Sequence, residues 1–114
     1  MTPLARISKK AERLAMDIKL ENNKYCESCG GLATTCHHFF PKSISAFLRC
    51  DSRNLIPICN SCHFAHHSKG DPKIHARIIE NNGQDWYNEL KADSQVRIKN
   101  NIGYWKKIIE QLEN

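Results

Sequence analysis

Residues 26–69 read CESCGGLATTCHHFFPKSISAFLRCDSRNLIPICNSCHFAHHSK, and all six cysteines and five of the six histidines fall inside them. Cys26-x-x-Cys29 and Cys59-x-x-Cys62 are spaced so that each pair can turn two sulfurs to one ion. A tetrahedral zinc on four thiolates requires that arrangement. The gap between the knuckles, residues 30–58, exceeds the roughly 15–20 residues of a zinc ribbon, so the loop it closes must hold structure of its own. Gly30-Gly31, just past the first knuckle, allows the tight backbone turn that such a site needs. A structural Zn2+ is therefore expected on Cys26, Cys29, Cys59 and Cys62. Cys36 and Cys50 are left over, each expected as a small buried apolar residue. Cys36 stands close enough to the histidine pair to be an alternate ligand.

The rest of the window places a second set of donors. His37 and His38 are adjacent, so on a strand they point to opposite faces. Asn54 follows, then His63 and, one helical turn on, His67; two imidazoles at i and i+4 are a standard way to offer one metal two ligands. His66 competes with His67 for that place. Thr34, Thr35, Phe39 and Phe40 predict a strand or hairpin arm within 32–40, closed by Pro41. Ser43 to Leu48 reads as one or two helical turns, Asn54 to Ile58 as a second short strand. A helix is predicted from about Asn60 to a stop at Gly70.

Outward from this centre both flanks read as helices. Thr2 and Pro3 make an N-cap and first-turn proline, and Leu4, Ile7, Ala11, Leu14 and Ile18 form an apolar stripe. Arg6, Lys9, Lys10 and Arg13 fall on another face: either a solvated face or a set of phosphate contacts, which position a protein on DNA without reading its sequence. On the other side, Asp71 and Pro72 start a helix with Ile74, Ile78 and Ile79 inward and Asn82-Gly83 as its stop. A short turn is expected to carry Trp86, Tyr87 and Leu90. Ile98, Ile102, Trp105, Ile109 and Leu112 form a last stripe, from a cap near Asp93 or Ser94. The end stripes have two uses that the sequence leaves open, packing on the core or a homodimer seam. The expected architecture is one α+β domain: a basic amphipathic helix over 1–24, a small zinc-stapled ββα centre over 25–70, and helices over 71–114.

Composition narrows the class. At 114 residues the core is modest, so metal crosslinks add useful stability. Seventeen Lys+Arg against twelve Asp+Glu give a net charge of +5, which leans toward a polyanionic partner, nucleic acid first. No apolar run approaches the ~20 residues of a membrane span and no export signal precedes the cysteines. Reduced, zinc-bound thiols in a cytoplasmic protein are therefore expected rather than disulfides.

Taken together, C-x-x-C, then HH-F-x-P, then R-N-L-I-P-I-C-x-x-C-H resembles the HNH endonucleases, the ββα-metal nucleases. The resemblance covers about Cys26 to Lys69. It implies that His38 is the general base, that Asn54 holds the base in orientation through a hydrogen bond to its ring, and that His63 binds a catalytic divalent ion. The residue before the base is often Asp in that family; here it is His37, which together with His67 is similar to the DNase colicins and implies His37, His63 and His67 as the ligand set. An all-imidazole site suits Zn, Ni, Co or Mn better than Mg, which prefers oxygen ligands. Lys42, Arg49 and Arg53, between base and asparagine, are candidates to neutralise a phosphate, or else plain surface charges; Asn54 has a bland alternative as a turn residue. The flanks, with G-D-P and Asn-Gly-Gln before Trp86, faintly resemble the Rap/NinG recombination nucleases, and small phage HNH proteins are an equally open comparison.

The resemblance thus implies a metal-dependent DNA endonuclease in a bacterial or phage-infected cell. A non-catalytic zinc-finger nucleic-acid-binding module would explain the cysteines and the charge, but not His-His, Asn, His and His at this spacing. An inactive HNH adaptor is the other rival.

Overall fold

The Thr2 hydroxyl accepts from the Ala5 amide and Pro3 occupies the first turn, so helix α1 starts where its residues dictate and runs Pro3–Asn22. The computed structural model describes the backbone of all 114 residues and every side chain except that of Lys69. Strand β1 is Thr35–His38; a single 3-10 turn, Ser52–Asn54, leads into strand β2, Leu55–Ile58. Then come α2 (Asn60–Lys69), α3 (Pro72–Asn82), α4 (Gln84–Asp93) and α5 (Ile102–Glu113). The protein is α+β, five helices around a two-stranded sheet.

The strands pair antiparallel, with His37 opposite Ile56 and His38 opposite Leu55. Pro57 is tolerated because a two-stranded sheet is all edge; its carbonyl accepts from the Glu27 amide and ties the first knuckle to β2. Gly70 stops α2 in the left-handed region, φ 62°, which a side chain would resist. Between the strands, the Ser43–Leu48 segment forms hydrogen-bonded turns rather than a helix, the Ser45 amide donating to Pro41 and the Arg49 amide to Ala46.

Three apolar clusters hold the layers. Phe39, Leu48, Ile56, Ile58, Ile74, Ile78 and Leu90 seal the sheet against α3 and α4. Ala11 of α1 meets Trp105 and Ile109 of α5, with Leu4, Ile7, Leu14 and Ile108 around them. Ala15, Cys36 and Leu55 join α1 to the sheet. Each fully buried large apolar side chain contributes roughly 1.5–3 kcal/mol. The end stripes therefore pack on each other within the chain.

Two C-terminal expectations are corrected. Trp86, Tyr87 and Leu90 lie on a helix, α4, not on a turn. Gly83, at φ 96°, ends α3 and re-aims the chain, Asp85 suits the positive end of the new helix dipole, and Leu90 anchors it in the core. Helix α5 is capped by Asn101, whose side chain accepts from the Tyr104 amide, not by Asp93 or Ser94. Ser94 instead closes α4, donating to the Lys91 carbonyl, and Ile98 reaches the Trp105 cluster from the intervening loop.

Candidate functional site

The four cysteines of the two knuckles converge, with sulfurs within 4.8 Å of one another. Cys29 and Cys59 sulfurs stand 3.7 Å apart. A tetrahedral ion with Zn–S bonds of about 2.3 Å sets sulfur–sulfur edges of ~3.8 Å, so the spacing fits zinc. Gly30, at φ 79°, makes the turn that lets its amide reach the Cys26 carbonyl. At the second knuckle the Cys59 sulfur caps α2, accepting from the Cys62 amide. Burial would raise the Cys26 thiol, but the amides of Cys29, Cys59 and Ser28 outweigh it and hold it below the usual range. Cys62 is pushed the other way, by burial and by the neighbouring thiols. Four thiolates packed this closely repel one another, and a divalent cation at their centre removes that cost. Cys36 and Cys50 are not part of this set; burial pushes them up to about 11 and about 12. Cys36 packs with Ala15 and Leu55 rather than serving as an alternate ligand.

On the sheet side, His37 and His38 face opposite ways as adjacent strand residues must. His37 is buried toward α2 and α3, where its donor atom lies within 4.8 Å of those of His63 and His67. The imidazole trio that the resemblance implies is thus brought together. Burial first, and the surrounding histidines second, hold His37 down at about 3; His63 is lowered by burial and by His67 and His66. The His37 and His63 rings are therefore neutral near pH 7, the form that ligates a metal.

His38 turns toward α1 and the loop after Pro41. Its Nε2 lies 2.9 Å from the Arg49 carbonyl oxygen. A carbonyl only accepts, so Nε2 carries the hydrogen and Nδ1 keeps its lone pair. Burial lowers the His38 pKa more than the Arg49 carbonyl and Glu12 raise it, leaving a neutral ring at pH 7. Below it lies Glu12, a residue the sequence reading passed over. Its carboxylate is buried in the face that α1 turns inward with Ser8, Ala11 and Ala15. It binds Arg49 at 2.6 Å and Lys42 at 3.2 Å and sits 3.9 Å from His38 Nε2. Burial would raise Glu12, but Arg49 and Lys42 outweigh it and hold it below the usual carboxylate range.

Asn54 acts differently from the expectation. It does not bond the His38 ring. Completely buried, it donates to the carbonyls of Phe40 at 3.0 Å and Leu48 at 3.2 Å and accepts from the Phe40 amide at 2.8 Å. It clamps both ends of the loop whose next residue, Arg49, holds His38. The asparagine orients the imidazole through that loop, because a fixed amide needs three backbone partners and the loop supplies them.

A cleft of about 420 Å³ opens beside β1, lined by His37, His38, His63, His66, His67 and His75 with Lys42 and Met16 among the rest. Of the three inner basic residues only Lys42 lines it. Arg49 is committed to Glu12 and lies over the Trp105 ring at 5.4 Å. Arg53 is committed to Asp51 at 2.7 Å and Asp93 at 2.8 Å. Both guanidiniums are thus paired with carboxylates of the chain. Arg6, Lys9, Lys10 and Arg13 are all exposed and together line a shallow depression on α1. Lys9 and Arg13 also line a groove of about 310 Å³ that shares Met16, Thr35, Cys36 and Lys42 with the histidine cleft.

His75 was also missed. It lies outside the cysteine-rich window, and its signal was faint: a histidine one position after the inward Ile74 on α3. The chain matches no family model, no curated protein and no solved structure. Among the described residues no helix is long and apolar enough to cross a membrane.

Proposed function

We propose that this protein is a metal-dependent DNA endonuclease of the HNH type, hydrolysing phosphodiester bonds in the cleft beside β1. The observation that carries the reading is the pairing, on one strand, of a neutral imidazole with a free Nδ1 and a histidine whose donor atom meets two more from α2. A zinc finger that only binds nucleic acid needs neither.

His37, His63 and His67 would hold the divalent ion, and the cysteine knuckle fixes the helix that carries the latter two, since Cys62 directly precedes His63 and the Cys59 sulfur caps α2. When bound, the ion would supply Lewis acidity to a phosphate oxygen. His38 accepts at Nδ1 the proton of the attacking water, while Nε2–H stays on the Arg49 carbonyl and keeps the ring from turning. Asn54 holds the loop that carries that carbonyl. Lys42, Lys9 and Arg13 bind the backbone of the strand along the groove that runs into the cleft, and Arg6 and Lys10 extend the basic face. Glu12 keeps Arg49 and Lys42 in place beside the base.

The test is nicking of supercoiled plasmid, and of a branched DNA, across Mg, Mn, Co, Ni and Zn. His38→Ala should lower the rate by about 10²–10⁴-fold with the circular dichroism unchanged. Intact DNA with every metal and both substrates would refute the enzyme reading.

A further inference from the structure

Five imidazoles, not three, crowd the inner side of the cleft, and His37 is at their centre. Its ring lies 5.5 Å from His63 and 5.2 Å from His67, but also 4.7 Å from His66 and 5.4 Å from His75. Among the described residues two histidine sets bring their donor atoms within 4.8 Å: His37, His63 and His67, and separately His37, His66 and His75. The second set comes from three elements. β1 supplies His37, α2 supplies His66, and α3 supplies His75.

Several observations single out this second set. His66 and His67 are neighbours on α2, about 100° apart around the helix, so each serves a different side of His37. The His75 ring is stacked on Phe39 at 4.4 Å and on His66 at 4.4 Å, which fixes its direction. Its Nε2 stands 3.2 Å from His37 Nε2. Two nitrogens on one tetrahedral zinc, with Zn–N bonds of about 2.0–2.1 Å, are ~3.3 Å apart.

We propose that His37, His66 and His75 form a second cation site, for a borderline transition metal such as Zn2+, Co2+ or Ni2+, alternative to the His37–His63–His67 site. One nitrogen lone pair serves one ion, and using both nitrogens of His37 would require stripping the ring of its last N–H proton. The histidines therefore hold one ion per chain, in one of two positions, with His37 as the shared ligand. An ion held by His66 and His75 takes His37 away from the position proposed for hydrolysis. The inference rests on reading the cleft as a cation site.

The experiment is a Co2+ titration of the full chain carrying Zn2+ on its cysteines, followed by the visible d–d absorption of imidazole-bound cobalt. A thiolate-to-cobalt charge-transfer band reports any exchange into the cysteine site. One histidine-bound Co2+ per chain is expected. Single His67→Ala or His75→Ala variants should each stay within about tenfold of the parent affinity, because one complete set remains. The pair His63→Ala and His67→Ala should still bind, and adding His66→Ala should weaken binding by roughly a hundredfold or more. His75→Gln in place of Ala repeats the test with the stacked position filled. Loss of binding in the His63→Ala/His67→Ala pair, with zinc retained and circular dichroism unchanged, overturns the second site and leaves the first standing. Two histidine-bound ions per chain overturn the exclusivity. No histidine-dependent binding in the parent overturns both this inference and the cation-site reading beneath it.

Discussion

Replacing Glu12 by glutamine keeps the shape of the side chain and removes the charge that Arg49 and Lys42 share. The two cations will not suffer equally. The Lys42 side chain is 55% exposed and returns to water at a cost below about 1 kcal/mol. The Arg49 side chain is 16% exposed, wedged between Glu12 and the Trp105 ring, and stays buried without its counter-charge. Breaking a buried pair from one side costs about 3–5 kcal/mol; the glutamine oxygen recovers one neutral hydrogen bond of about 1 kcal/mol. The expected loss at pH 7 is therefore about 2–4 kcal/mol, or roughly 8–16 °C in Tm for a domain of this size. The pH dependence carries the sign. Glu12 has a folded pKa below its ordinary 4.5, so its contribution is fully present above the unfolded value and is lost as pH falls through the folded one. Glutamine has nothing to lose there. Urea unfolding of the two proteins from pH 7 down to pH 3 should give curves that converge at the acid end. Equal stability at pH 7, or a difference that stays constant down to pH 3, would refute the assignment of Glu12 as the buried anchor.

Three further outcomes follow from the site. Cys59→Ser, or strong chelation, should release one zinc per chain and unfold the α2 end, seen as lost helical circular dichroism together with lost nicking; retention of zinc by the variant would remove Cys59 from the ligand set. Asn54→Ala should cost about 3–4 kcal/mol, because the Phe40 amide and two carbonyls lose their partner, and any folded fraction should nick more slowly through a loosened Arg49 loop; unchanged unfolding midpoints would contradict the clamp. With a saturating metal, the acid limb of the nicking rate should lie below pH 6.5, since burial lowers His38 and keeps the base neutral further into acid; a limb at or above 6.5 would argue against His38 as the proton acceptor.

What could be read from residues alone was whatever depends on short spacing. Two C-x-x-C pairs can each turn two sulfurs to one ion, adjacent strand residues must diverge, and His63 and His67 must share a helix face, so the cysteine cluster and the His63–His67 pair were legible before any fold was known, with His37 added by the resemblance. Asp71-Pro72 and Gly70 marked helix boundaries for the same reason: their backbone preferences act locally. The opposite holds for Glu12, His75 and the true work of Asn54. Glu12 is remote in sequence from Lys42 and Arg49, and nothing local says which exposed-looking acid on α1 will be turned inward under His38. His75 becomes a donor only because α3 packs beside α2. Asn54 was expected to touch the imidazole and instead holds the loop that touches it. Arg49 is paired with Glu12 from α1, and Arg53 with its neighbour Asp51 and with Asp93 from α4. Local geometry determined which side chains could ligate; burial and long-range pairing, which exist only once the helices have packed, decided which charges are spent inside the fold and which remain for a partner.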